Sequence, residues 1–263
     1  MQRDDPLTST APAEVPLSSA PLVRVIAQVR FPQILSIEKR DFVAPIQETL
    51  RSQYPVLRAE KTLVVGPDSM PPMPPQVIWR FSDVDENWRV SIAPDFAAIE
   101  TIAYANRQDF FERFETLMNA VAEHIGPRVV DRIGIRYIDR ITGDALNNIG
   151  KLVHRDVLGI LSTSAAEHAL HALSESVFKV PNSSAQLLTR WGMLPAGATV
   201  DPAAIEPSPE PSWILDLDMF RSEQRVFDTT ELVADARSYA ERIYTFFRWA
   251  VTDEFLRAYG GEI

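Results

Sequence analysis

The sequence predicts an α+β fold, a twisted antiparallel sheet with helices packed on one face. Three observations carry this. Strand-like runs follow one another without a helix between each pair, which favours antiparallel neighbours. Two long segments, 106–125 and 230–259, carry apolar stripes at helical spacing. The order strand, helix, strands, helix occurs twice, which predicts one domain built from two similar halves, 21–127 and 128–263.

Residues 1–20 are rich in Pro, Ser, Thr and Ala without periodicity, so a disordered tail is expected there. A strand follows at about 22–31, then a helix near 41–53 with Phe42, Ile46 and Leu50 at helical spacing, stopped by Tyr54-Pro55. Met70-Pro71-Pro72-Met73-Pro74-Pro75 reads as a stiff loop. Gln76–Ser82 and Trp88–Ile92 alternate as strands, and a short strand at 97–101 leads into the helix at 106–125. The second half opens with a strand at 129–141, followed by helical segments at 146–161 and 164–173. Strands at 184–191 and 212–220 flank a Pro- and Ala-rich loop. A long helix from Thr230 to Tyr259 closes the chain, with Asp228-Thr229-Thr230-Glu231 as its N-cap and Gly260-Gly261 as its stop.

Composition narrows the function classes. The chain has 263 residues, 46% of them hydrophobic, enough for a sizeable core. No apolar run approaches the roughly 18 residues of a membrane helix, and the N-terminus lacks a signal-peptide pattern, so a cytoplasmic protein without a membrane partner is expected. Zero cysteines exclude disulfides, thiolate metal sites and cysteine nucleophiles. A formal charge of −10 argues against broad contact with duplex nucleic acid, which requires basic surface to displace counterions. Nothing in the composition decides for or against a homo-oligomer.

The strand Arg132-Ile133-Gly134-Ile135-Arg136-Tyr137-Ile138-Asp139-Arg140 separates the two faces of the sheet. Alternation puts Ile133, Ile135 and Tyr137 on the apolar side and Arg132, Arg136 and Arg140 on the other. Extending this to the other strands collects Arg24, Arg30, Arg80, Arg89, Arg132, Arg136, Arg140 and Arg190 on one face, against the two acids Asp216 and Asp218. Residues i and i+4 on a strand are about 13 Å apart, so the three arginines of one column cannot share a single phosphate. An extended anion fits the column, and so does an internal ladder of ion pairs with Asp216 and Asp218. Gly134, in the middle of that strand, marks a close approach of a neighbouring group.

Other constellations are weaker. His154-Arg155-Asp156 resembles a kinase catalytic loop, but Leu161 stands where an asparagine is required. His168 and His171, with Glu167 and Glu175, have helical spacings that suit a metal, though a solvated helix face explains them as well. Phosphate loops, dinucleotide fingerprints and hydrolase motifs are all missing, and no cofactor is expected.

Pro21-Leu22 with Val29-Arg30-Phe31, the Trp88 strand, Asp95-Phe96, Glu100-Thr101, Tyr104, Asp109-Phe110 and above all Arg132-Ile133-Gly134-Ile135-Arg136-Tyr137 resemble a sporadically distributed bacterial family of uncharacterised proteins. The resemblance spans about residues 20–260 and brings no reaction, cofactor or catalytic residue. Where that family often has asparagine after the Tyr-Ile pair, this chain has Asp139. Patchy distribution implies an accessory setting such as defence or toxin–antitoxin modules.

The favoured expectation is a binding or regulatory protein. Its arginine face (Arg132, Arg136, Arg140, Arg24 and Arg30, with Asp216 and Asp218) would hold an acidic protein segment or a phosphorylated ligand. One alternative is an enzyme acting on a phosphorylated small molecule or nucleotide, with Arg132 and Arg136 on the anion and Asp216 or Asp218 moving protons. A second is a nucleic-acid-binding saddle.

Overall fold

The structure, a computed structural model, describes residues 4–62 and 76–263. The α+β class and the antiparallel sheet are observed. Its strands are β1 (Leu22–Arg30), β2 (Val56–Thr62), β3 (Gln76–Ser82), β4 (Trp88–Ala93), β5 (Phe96–Thr101), β6 (Val129–Val130), β7 (Arg132–Ile141), β8 (Ala172–Lys179), β9 (Gln186–Leu194), β10 (Ser212–Arg221) and β11 (Arg225–Val226). The helices are α1 (Arg40–Leu50), α2 (Arg107–His124), α3 (Gly143–Asn147), α4 (Ile149–Leu152), α5 (Arg155–Leu158), α6 (Thr229–Ala250) and α7 (Asp253–Ala258). Nine strands are hydrogen-bonded in the order β2-β3-β4-β5-β1-β7-β10-β9-β8, and β6 pairs with β11. The expected stiff loop at Met70–Pro75 lies outside the described residues.

The chain divides into two compact units that interleave in sequence. The first comprises Met1–Val25, Ile135–Arg221 and Arg237–Ile263; the second comprises Ile26–Gly134 and Ser222–Ala236.

In the second unit, β2 to β5 form an antiparallel meander, and β4 and β5 are buried on both faces along most of their length. Trp79, Phe81, Trp88, Val90 and Ile92 are buried, and Trp88 meets Phe110 of α2 with ring centroids 5.8 Å apart. The apolar stripe of α2 (Phe110, Phe111, Phe114, Leu117, Met118, Val121) is buried as its spacing predicts. Asn106 caps this helix, its side chain accepting from the Asp109 backbone N–H at 2.9 Å. The Trp79 indole N–H donates to the Ile37 carbonyl at 2.7 Å, so this buried polar atom is satisfied.

In the first unit, β8, β9 and β10 run antiparallel with Trp191 opposite Ser174 and Leu215. Their apolar side meets α6 through Phe246, which touches both Phe178 and Trp191. Residues 4–20, expected as a disordered tail, follow a path fixed by hydrogen bonds to α6. An Arg242 guanidinium nitrogen donates to the carbonyls of Pro6 and Ser9, and Tyr244 Oη accepts from the Val15 N–H at 2.8 Å. Ser19 N–H donates to the Tyr259 carbonyl.

Several expected elements take another form. The helix anticipated at 146–161 is broken into α3, α4 and α5 and a 3-10 turn at Gly159–Ser162. Gly159 ends α5 at φ 53°, a conformation that suits glycine. The helix at 164–173 is a 3-10 turn, Ser164–His168, followed by β8. The closing helix stops at Ala250, because Val251 bridges to Val153 and Thr252 caps α7 by accepting from the Phe255 N–H. Three strands are not anticipated by the sequence pattern: β11, and β2 and β8, which stand at the two ends of the sheet order.

Candidate functional site

In the first unit, strand pairing sets Glu175 of β8 opposite Arg190 of β9, and Arg190 opposite Asp216 of β10. Arg190 Nε donates to Glu175 Oε2 at 2.5 Å, and its Nη1 reaches Asp216 Oδ2 at 3.4 Å. Arg136 of β7 then grips Asp216 with both tines of its fork, Nε to Oδ1 at 2.7 Å and Nη2 to Oδ2 at 2.8 Å. Its remaining Nη1 donates to Asp201 Oδ2 at 2.7 Å. The result is a row of alternating charge, Glu175, Arg190, Asp216, Arg136, Asp201, with three carboxylates against two guanidiniums.

Asp216 is 2% exposed, so this row is a partly buried network. Burial alone opposes the Arg136 charge, yet the hydrogen bonds and charge of Asp216, and then of Asp201, carry its pKa above the ordinary arginine value. Arg190 is raised in the same way, burial opposing the charge and Glu175 and Asp216 more than offsetting it. Burial would raise the Asp201 carboxyl, but Arg136 draws it below its usual value.

Arg140, two turns of the pleat beyond Arg136 on the same face, differs. Its Nη2 donates to the Glu206 backbone carbonyl at 2.6 Å, and its Nε is buried without a hydrogen-bond partner. No carboxylate pairs with it among the described residues, and burial lowers its pKa with nothing to offset the loss. The 195–211 loop therefore meets this face twice, through the Asp201 carboxylate and the Glu206 carbonyl. Buried Ala204 and Ile205 and the Thr199 hydroxyl, which donates to the Ile205 carbonyl, hold that loop in place.

The other sequence-derived candidates are placed as follows. Arg24, on β1, is half-buried, and Asp218, on β10, stands opposite Leu188. In the second unit Arg30 pairs with Asp95 at 2.9 Å. The Arg132 guanidinium folds back over Gly134, where an added Cβ would lie 2.7 Å from Nη1. The close approach expected at Gly134 is thus made by Arg132. Arg80 pairs with Glu60 at 2.6 Å and with the Ser91 hydroxyl, and Arg89 pairs with Glu100. The structure brings together Arg136 and Asp216, and adds Asp201, Glu175, Asp95, Glu60 and Glu100 as counter-ions that sequence alone did not supply.

Glu175 belongs to β8 and pairs with Arg190, so it does not share a helix face with His168 and His171. Among the described residues no group of three His, Asp or Glu side chains is arranged to hold a metal ion. No helix among them is long and apolar enough to cross a membrane.

On the opposite side of β7, Asp139 is 7% exposed. Burial raises its pKa to about 7, with no compensating cation or donor among the described residues. The same carboxyl, after burial itself, raises the pKa of Tyr259. No protein-family model matches this chain, and no curated protein matches it either.

Proposed function

We propose that the chain is a cytosolic binding protein whose partner is an acidic protein segment, received on the arginine side of the first unit at Arg140. The observation that carries this reading is the contrast between Arg136 and Arg140. Arg136 is saturated by two carboxylates, whereas Arg140 has a backbone carbonyl and a buried Nε without an acceptor. A carboxylate that reaches the exposed end of this guanidinium gains a charge-assisted hydrogen bond with no internal carboxylate to displace. Arg136 and Arg190 of the same unit contribute position rather than affinity, since both already have internal partners.

The same geometry weighs against the catalytic alternative built on Asp216. Both of its oxygens accept guanidinium N–H groups, so neither can take a proton or a metal without surrendering an arginine. The test is fluorescence anisotropy of a labelled hexaglutamate peptide at low salt, with inorganic phosphate as competitor. Wild type should bind, and Arg140→Ala should weaken binding about tenfold or more, the scale of one charged hydrogen-bonded contact. Equal binding by Arg140→Ala would remove the proposed contact. Displacement by millimolar phosphate would reassign the site to a phosphorylated ligand.

A further inference from the structure

The nine-stranded order ends at β8, and among the described residues no strand pairs with its outer edge. Natural edge strands are commonly short, interrupted by proline or bulged, because an open edge is a template for further pairing. β8 is eight residues long with no proline inside it. Exposed apolar side chains also occur on and just before this strand: Leu170, Leu173 and Val177 are 84%, 39% and 59% exposed.

The two faces of β8 are known from their contacts. Phe178 meets Phe246 on the helix side, and Glu175 meets Arg190 on the other. Leu173, Glu175, Val177 and Lys179 therefore line the arginine side. We propose that β8 pairs antiparallel with β8 of a second copy of this chain, around a two-fold axis at Val177. A two-fold perpendicular to the strands keeps each face on its own side, so the strand order would continue from one copy into the next.

Charge selects both the partner and the register. Centred on Val177, Val177 meets itself and each Glu175 stands opposite the other copy's Lys179, giving two cross-strand ion pairs around an apolar contact. Centring one residue earlier sets Glu175 against Val177 and Leu173 against Lys179. Centring on Glu175 opposes two like charges, which is destabilising. The sequence of β8 is thus self-complementary in one antiparallel register.

The absence of native cysteine makes the test clean. Val177→Cys in the full chain should form an intermolecular disulfide under mild oxidation, while Glu175→Cys, whose counterpart is Lys179, should not. Sedimentation velocity of the wild type should show a concentration-dependent dimer. Val177→Lys, which opposes two cations at the axis, should weaken that dimer on the order of tenfold or more. Circular dichroism of the variant checks its fold, and the exposure of Val177 makes the change structurally mild. A wild type that stays monomeric throughout, or a dimer that Val177→Lys leaves intact, overturns the proposal. Preferential cross-linking of Glu175→Cys overturns the register.

Discussion

Replacing Asp139 with asparagine should stabilise the protein, and increasingly so as pH rises. Asp139 is buried on the apolar side of β7, and burial lifts its pKa from 3.8 to about 7. Between those values the folded chain retains a proton that the unfolded chain has lost. Stability therefore falls as pH rises through this window and stays lowered above it. Moving a carboxyl that far corresponds to a ceiling of about 4 kcal/mol, since each pKa unit is worth about 1.4 kcal/mol. Asparagine keeps nearly the same shape and carries no charge. Urea unfolding of both proteins at pH 4.5 and pH 8, chosen as roughly the two ends of the window, measures the effect. The two should be similar at the acid end, with Asp139→Asn ahead by about 2–4 kcal/mol at the alkaline end. Groups common to both proteins cancel in the comparison. A stability difference that is the same at both pH values would refute the reasoning, because it would mean that Asp139 ionises in the folded chain as freely as in the unfolded one.

Other outcomes follow from the same structure. Arg136→Ala strips Asp216 of its two-pronged partner while leaving it 2% exposed, with Arg190 at 3.4 Å as the remaining cation. The expected loss is about 3–5 kcal/mol in denaturant unfolding, and a loss under about 1 kcal/mol would mean that the row is effectively solvated. Gly192→Ala forces a side chain into φ 142° and drives its Cβ into the Ala172 carbonyl oxygen. It should cost about 2–4 kcal/mol and lower hydrogen-exchange protection along β8; unchanged protection would contradict that packing.

The interior of the fold was legible in the amino-acid sequence because its alternation is strong. Trp88, Val90 and Ile92, or Ile133 and Ile135, each expose one apolar face and leave the polar face to be listed by parity. Edge strands give no such signal. β8, with Ser174, Glu175 and Ser176 at its centre, is covered on one side alone and so reads as polar helix or loop. The same cause hid half of the site. Arg136 and Asp216 could be assigned to the same face because both lie on patterned strands, but Asp201 comes from a Pro-rich loop whose path no local pattern dictates. The spacing of Glu175 matches a helix face shared with His168 and His171, whereas it lies on β8 beside Arg190. Asp139 was visible by parity on the apolar face, yet its consequence depended on burial, which only packing reveals.

The contacts that fasten residues 4–20 bear on how the chain folds. Arg242 reaches the Pro6 carbonyl across 236 residues of sequence, and Tyr244 reaches Val15 across 229. Contacts of such separation repay their ordering entropy only after intervening structure has drawn the two stretches together. Closure cost grows only logarithmically, about 0.6 kcal/mol for each doubling of the loop, so a late contact need not be a weak one. Ser18 and Leu17 lie against Gly260 and Gly261, where an added Cβ would collide with them. The two glycines thus leave the room in which Leu17 and Ser18 pack, so that a contact of long sequence separation is made without steric cost.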